Sequence, residues 1–120
     1  AMEKRTLTVT INPDWRAALR AAGRGAFASD GYQGETLNFE TPAAFFSRLT
    51  EKRWAMLHAL QGAGELAVRE LARRLERDVK RVHEDAGSLV ELGLIERTER
   101  GGLVCPFDDI HVDMDLKRAA

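Results

Sequence analysis

Residues 68–105 read VRELARRLERDVKRVHEDAGSLVELGLIERTERGGLVC, and this stretch decides the fold. In VRELARRL, Leu71, Ala72 and Leu75 fall at helical spacing, which predicts a short amphipathic helix with those three inward. Glu76-Arg77-Asp78 forms a turn, and a longer helix follows over Val79–Leu92. Its inward face is Val79, Val82, His83, Ala86, Leu89 and Val90. Gly93 suits the helix end because glycine accepts a left-handed backbone. Leu94–Thr98 and Leu103–Cys105 then flank Arg100-Gly101-Gly102, two extended runs across a glycine pair, which predicts a β-hairpin.

One more helix precedes this stretch. Thr50 is placed to cap it, Trp54, Leu57, His58 and Leu60 line one face, and Gly62 and Gly64 end it. Helices over 50–61, 67–75 and 79–92 followed by a hairpin over 94–105 make the order of a winged helix-turn-helix. Two short helices joined by a tight turn cross steeply, so the second is free to enter a DNA major groove about 12 Å wide. Arg69, Arg73, Arg74 and Arg77 supply the charge density that phosphate contacts need. Lys80, Arg81, Glu84 and Asp85 are the outward residues of the third helix; Lys or Arg pairs with guanine, and Glu accepts from cytosine. Arg97 and Arg100 flank the hairpin tip and are candidates for a wing contact. The bland alternative is a solvated surface with i,i+4 ion pairs such as Glu70 with Arg74.

The two ends of the chain alternate instead. TLTVTI (6–11) sets Leu7, Val9 and Ile11 against three threonines, the pattern of a half-buried strand. Asn12-Pro13 then opens an amphipathic helix over 13–23 carrying Trp15, Ala18, Leu19 and Ala22. Glycines at 23, 25, 31 and 34 make a loop, a brief strand follows at 36–39, and Thr41-Pro42 starts a short helix. At the far end, Ile110, Val112, Met114 and Leu116 alternate with His111, Asp113 and Asp115 over 110–116. The expected class is α+β, with an N-terminal extension (1–48) for dimerisation or partner binding, a DNA-binding domain (49–107) and a terminal strand (108–120).

Composition bounds the function. The 120 residues hold 18 Lys and Arg against 19 Asp and Glu, for a formal charge of −1, yet residues 69–81 carry six bases and three acids. Residues 103–115 carry four acids and no Lys or Arg. Such asymmetry points to one side that faces a polyanion and another that does not. With 44% hydrophobic and 31% charged residues, the chain reads as a globular domain and not as a disordered or fibrous one. No stretch nears the ~18 apolar residues of a membrane span, and AMEKRTLTV lacks a leader-like apolar run, so a cytoplasmic protein is expected. The single Cys105 reads as a small core residue. His111, Asp113 and Asp115 share a strand face but lack a fourth ligand, so no metal is expected. No phosphate loop, HExxH or Ser-His-Asp frame is present, and neither a catalytic activity nor a cofactor is expected.

The stretch from LTEKRWAMLHAL through VRELARRLERDVKRVHEDAGSLVELGLIERTERGG to PFDDIHVDM resembles small prokaryotic MarR-like winged-helix regulators, and YQGETLNFETPAAFFSRLT upstream is similar to them as well. The resemblance spans residues 32–116. It implies sequence-specific binding of double-stranded DNA, autoregulatory repression and no enzymatic activity. Many such proteins are the regulator or antitoxin half of toxin–antitoxin pairs, which gives the alternative of a module that masks a toxin. One departure is Glu76, where the family pattern has glycine: a side chain there must either take a positive φ or alter the turn. The two terminal strands each need a sheet, formed with each other or across a two-fold axis. A homodimer is expected, since paired recognition helices meet half-sites about 34–36 Å apart.

Overall fold

The alternation of TLTVTI has the consequence it predicts: Leu7 and Val9 are buried, and the threonines between them stay half-exposed. The computed structural model describes residues 4–14, 16, 34–116 and 118. In order they form β1 (Thr6–Ile11), β2 (Glu35–Phe39), α1 (Pro42–Arg48), α2 (Glu51–Leu60), α3 (Val68–Leu75), α4 (Val79–Glu91), β3 (Glu96–Arg97), β4 (Leu103–Val104) and β5 (Asp109–Asp113). The helix expected over 13–23 lies outside the described residues, apart from 13, 14 and 16. The architecture is α+β. The chain divides into one unit of residues 1–47 with 109–120 and a second of 48–108.

The first unit is built on a parallel sheet in the order β2-β1-β5. Val9 lies opposite Leu37 on one side and Val112 on the other, so the apolar residues of all three strands share a face. Thr8 lies between Thr36 and His111 on the polar face. There the Thr10 hydroxyl donates to Asn38 Oδ1 at 2.7 Å, and Asn38 Nδ2 donates to the Asn12 carbonyl at 2.9 Å. The terminal strand is thus a sheet partner of β1 within the same chain, the first of the two alternatives that the alternating pattern left open. It stops at Asp113 and not at Leu116, which is fully exposed. Its partner β1 runs out at Asn12-Pro13, where proline offers no N–H to extend the ladder. Thr41 caps α1 by accepting from the Ala44 N–H at 3.1 Å, and Phe45 packs edge-to-face on Phe39 with ring centroids 5.5 Å apart.

In the second unit, three helices and a hairpin surround one core. Met56, Leu57 and Leu60 of α2 meet Leu71 of α3, Val82, Ala86 and Leu89 of α4, and Leu94, Ile95 and Leu103 of the hairpin arm, all nearly without solvent contact. Thr50 caps α2 through the Arg53 N–H (3.3 Å), and Asp78 caps α4 through the Arg81 N–H (3.1 Å). Strands β3 and β4 pair antiparallel, and Leu66 exchanges two backbone hydrogen bonds with Leu103 (2.9 and 2.7 Å), a separate bridge outside the β3–β4 ladder. Glu76 takes the left-handed conformation, φ 53° and ψ 48°, so the glycine expected there is replaced at a conformational cost and the turn is kept.

Four inward assignments are corrected. Trp54 is 40% exposed and Val79 38%, and His83 and His58 are exposed as well. The buried stripe of α2 runs through Met56, Leu57 and Leu60, one step round the helix from Trp54. On α4, Val82, Ala86 and Leu89 alone supply a full i, i+4, i+7 stripe, which leaves Val79 and His83 on its flank. Among the described residues, no helix is long and apolar enough to cross a membrane.

Candidate nucleic-acid interface

The expected contact residues gather on α3, the turn 76–78 and α4. Arg69, Arg73 and Arg74 of α3 are exposed, as are Lys80, Arg81 and Glu84 of α4 and Arg97 and Arg100 of the hairpin. Within α3 the charges are partly paired. Glu70 accepts from Arg73, one turn on, and stands 3.6 Å from Arg74. The hydrogen bond from Arg73 holds the Glu70 carboxyl below its ordinary value and raises the Arg73 guanidinium. Both groups are solvated, so a stronger anion can exchange with Glu70 at little cost.

Arg77 departs from its expected place. Only 16% of its side chain is exposed, and its Nη2 donates to Asp85 Oδ2 at 2.7 Å. Asp85, expected to point outward, is itself mostly buried and also accepts from Arg53 Nε at 3.0 Å. Arg53 in turn donates from Nη1 to the Arg48 carbonyl at 2.9 Å. The carboxylate therefore ties α2 and the turn to the second turn of α4. Burial alone would raise the Asp85 carboxyl, but the hydrogen bonds from Arg77 and Arg53 outweigh it and hold it below the ordinary range. Arg77 Nη1 is buried without a hydrogen-bond partner among the described residues, a cost that the Asp85 contact offsets.

Beside this triad lies an open cleft of about 800 Å³, walled by the first turn of α2 and the first two turns of α4. Lys52, Lys80 and Arg81 line its mouth together with Glu51, Asp78 and Glu84, so its charge is mixed. Arg53 and Asp85 escaped sequence reasoning as a pair because they stand 32 residues apart. The signal that could have found them was an arginine one turn inside a capped helix with no acid at i±3 or i±4. Cys105 is buried, with its Sγ 3.7 Å from the Phe107 carbonyl, as a small core residue would be. Among the described residues, no group of three or more His, Cys, Asp or Glu stands close enough to hold a metal ion.

No curated protein matches the chain. The profile of the HVO_A0114 family matches residues 48–112, which takes in α2, α3, α4, the hairpin and most of β5. That is more than half of the 120 residues, and the chain belongs to the HVO_A0114 family.

Proposed function

We propose that residues 48–108 are a winged helix-turn-helix that binds double-stranded DNA, and that the protein is a cytoplasmic MarR-like transcriptional regulator, a repressor of its own gene. The observation that carries this reading is the pair α3 and α4, joined by three residues, with the second helix capped by Asp78 and Lys80 and Arg81 exposed in its first turn. Arg69, Arg73 and Arg74 hold phosphates. Lys80, Arg81 and Glu84 face base edges, and Arg97 and Arg100 reach the backbone beside the groove. Arg77 has a different part: through Asp85 it fixes the angle at which α4 is presented. A homodimer brings two such helices to two half-sites. The reading involves no catalytic step and no cofactor.

Fluorescence anisotropy with a labelled duplex from the gene's own upstream region tests it, beside a scrambled duplex and at two salt concentrations. The expected result is tight binding that prefers the native duplex and weakens by about 0.9 logarithmic units per phosphate contact for each tenfold rise in salt. No binding to either duplex at low salt would reject the reading and move the function to a protein partner, as for an antitoxin.

A further inference from the structure

The two edges of the β2-β1-β5 sheet differ in what each would meet in a second copy of itself. The Asn12 N–H donates to the Phe39 carbonyl at 2.9 Å, which fixes the alternation along β2. The backbone groups of Glu35, Leu37 and Phe39 face β1, and those of Thr36 and Asn38 face the open edge. On β5 the Asp109 N–H donates to the Arg5 carbonyl at 3.3 Å, so Ile110 and Val112 hold the outward positions there. Among the described residues, no strand lies beyond either edge. The β5 edge is guarded. In an antiparallel pair of two β5 strands centred on His111, Asp109 of each copy falls opposite Asp113 of the other, and like charges so placed repel. Lys4 reaches Asp109 at 2.9 Å, but Asp113 has no such cation among the described residues, so each pair keeps a net negative charge. The β2 edge has no such guard. It carries no lysine and no proline, and its single acid, Glu35, is held by Arg5 in three hydrogen bonds of 3.1, 2.8 and 2.9 Å. Asn38 turns its side chain toward β1, accepting from the Thr10 hydroxyl and donating to the Asn12 carbonyl, which keeps it clear of the edge.

We propose that β2 is the surface through which two copies of this chain associate, pairing antiparallel about a two-fold axis at Leu37 into one continuous sheet. This rests on the homodimer in the reading above and names the surface that makes it. In that register Thr36 of one copy and Asn38 of the other exchange both backbone hydrogen bonds, and symmetry repeats the pair. All the outward groups of β2 are thereby satisfied. Leu37, half-buried in the single chain, meets its counterpart at the close, non-hydrogen-bonded position on the apolar face. Glu35 falls opposite Phe39, and nowhere along 35–39 do like charges meet. The contact is isologous and closes at two copies, whereas β2 against the β5 of another copy would propagate without end.

The test uses Thr36→Pro, Leu37→Cys and His111→Cys in the full chain without DNA, read by sedimentation and by disulfide cross-linking. Thr36→Pro removes an N–H that points out of the sheet, and an edge strand accepts proline there, so the chain is expected to fold. Wild type is expected to sediment as a dimer, and Thr36→Pro to raise its dissociation constant about tenfold or more, since the lost bond recurs by symmetry. Under mild oxidation Leu37→Cys is expected to link two copies, because Cα atoms at that position stand about 4.5 Å apart, within disulfide reach. His111→Cys, the matching position of β5, is expected not to. Cys105 is buried and stays out of the reaction. A monomeric wild type, or a dimer that folded Thr36→Pro leaves intact, would overturn the inference. Cross-linking through His111→Cys in place of Leu37→Cys would assign the contact to β5 and also overturn it; should Thr36→Pro not fold, this pair decides alone. A dimer joined through β2 that binds no duplex in the anisotropy experiment would reject the DNA reading and leave this inference standing.

Discussion

The outer face of α3 and the turn that follows it carry the same residue type in opposite surroundings. Arg73 keeps 73% of its side chain in water and shares a solvated carboxylate, whereas Arg77, four residues on, keeps 16% and is held by a mostly buried one. The first is available to a phosphate. The second is committed to the fold. A count of positive charge over 69–81 therefore overstates what a ligand can reach, and the inner arginine contributes by setting where the outer ones stand.

Breaking the inner network is expected to have the largest effect. Asp85→Ala leaves Arg53 and Arg77 without their counter-charge, each at least four-fifths buried. It is expected to cost about 2–3 kcal/mol in urea unfolding, toward the lower end for a broken buried pair. The same network gives a pH dependence of definite sign. The Asp85 carboxyl is depressed in the folded chain, so its contribution is fully present above the unfolded value of about 4 and is lost as pH falls through the folded value. Unfolding midpoints followed from pH 7 to pH 2 should fall more steeply for wild type than for Asp85→Asn. Parallel curves would mean that the ion pairs do not stabilise the fold.

The outer set is expected to act on binding alone. Arg73→Ala should weaken all duplexes about tenfold with no change in sequence preference, while Arg81→Ala should lose discrimination among them. Equal losses from both on every duplex would reject that division of labour. Glu76→Gly relieves a left-handed non-glycine residue and should stabilise the chain by about 0.5–1 kcal/mol, read as a rise in urea midpoint. Smallest of all, Glu70→Ala should leave the midpoint where it is, because its ion pairs lie in water.

Local chemistry made much of this legible in the sequence. Thr41 and Thr50 each cap the helix they precede, because a side-chain oxygen three residues before a backbone N–H needs no tertiary context. The alternation at 6–11 and the glycine pair before Leu103 are local in the same sense. What stayed hidden depends on residues far apart. The parallel pairing of β1 with β5 joins Thr6 to Asp109, and the alternation of the two strands asked for a sheet without choosing between this partner and a second copy. The inward turn of Arg77 depends on Asp85 and Arg53, and the rotation of α2 that exposes Trp54 is set by what Met56 and Leu60 can fill. Hydrophobicity favoured the tryptophan, and packing chose the methionine.

The most direct test of the account compares the salt dependence of duplex binding in wild type and in the triple variant Arg69→Ala, Arg73→Ala, Arg74→Ala. The account predicts a slope shallower by about 0.9 for each lost phosphate contact, with no fall in the unfolding midpoint. An unchanged slope would contradict it, leaving the outer arginines as a solvated surface.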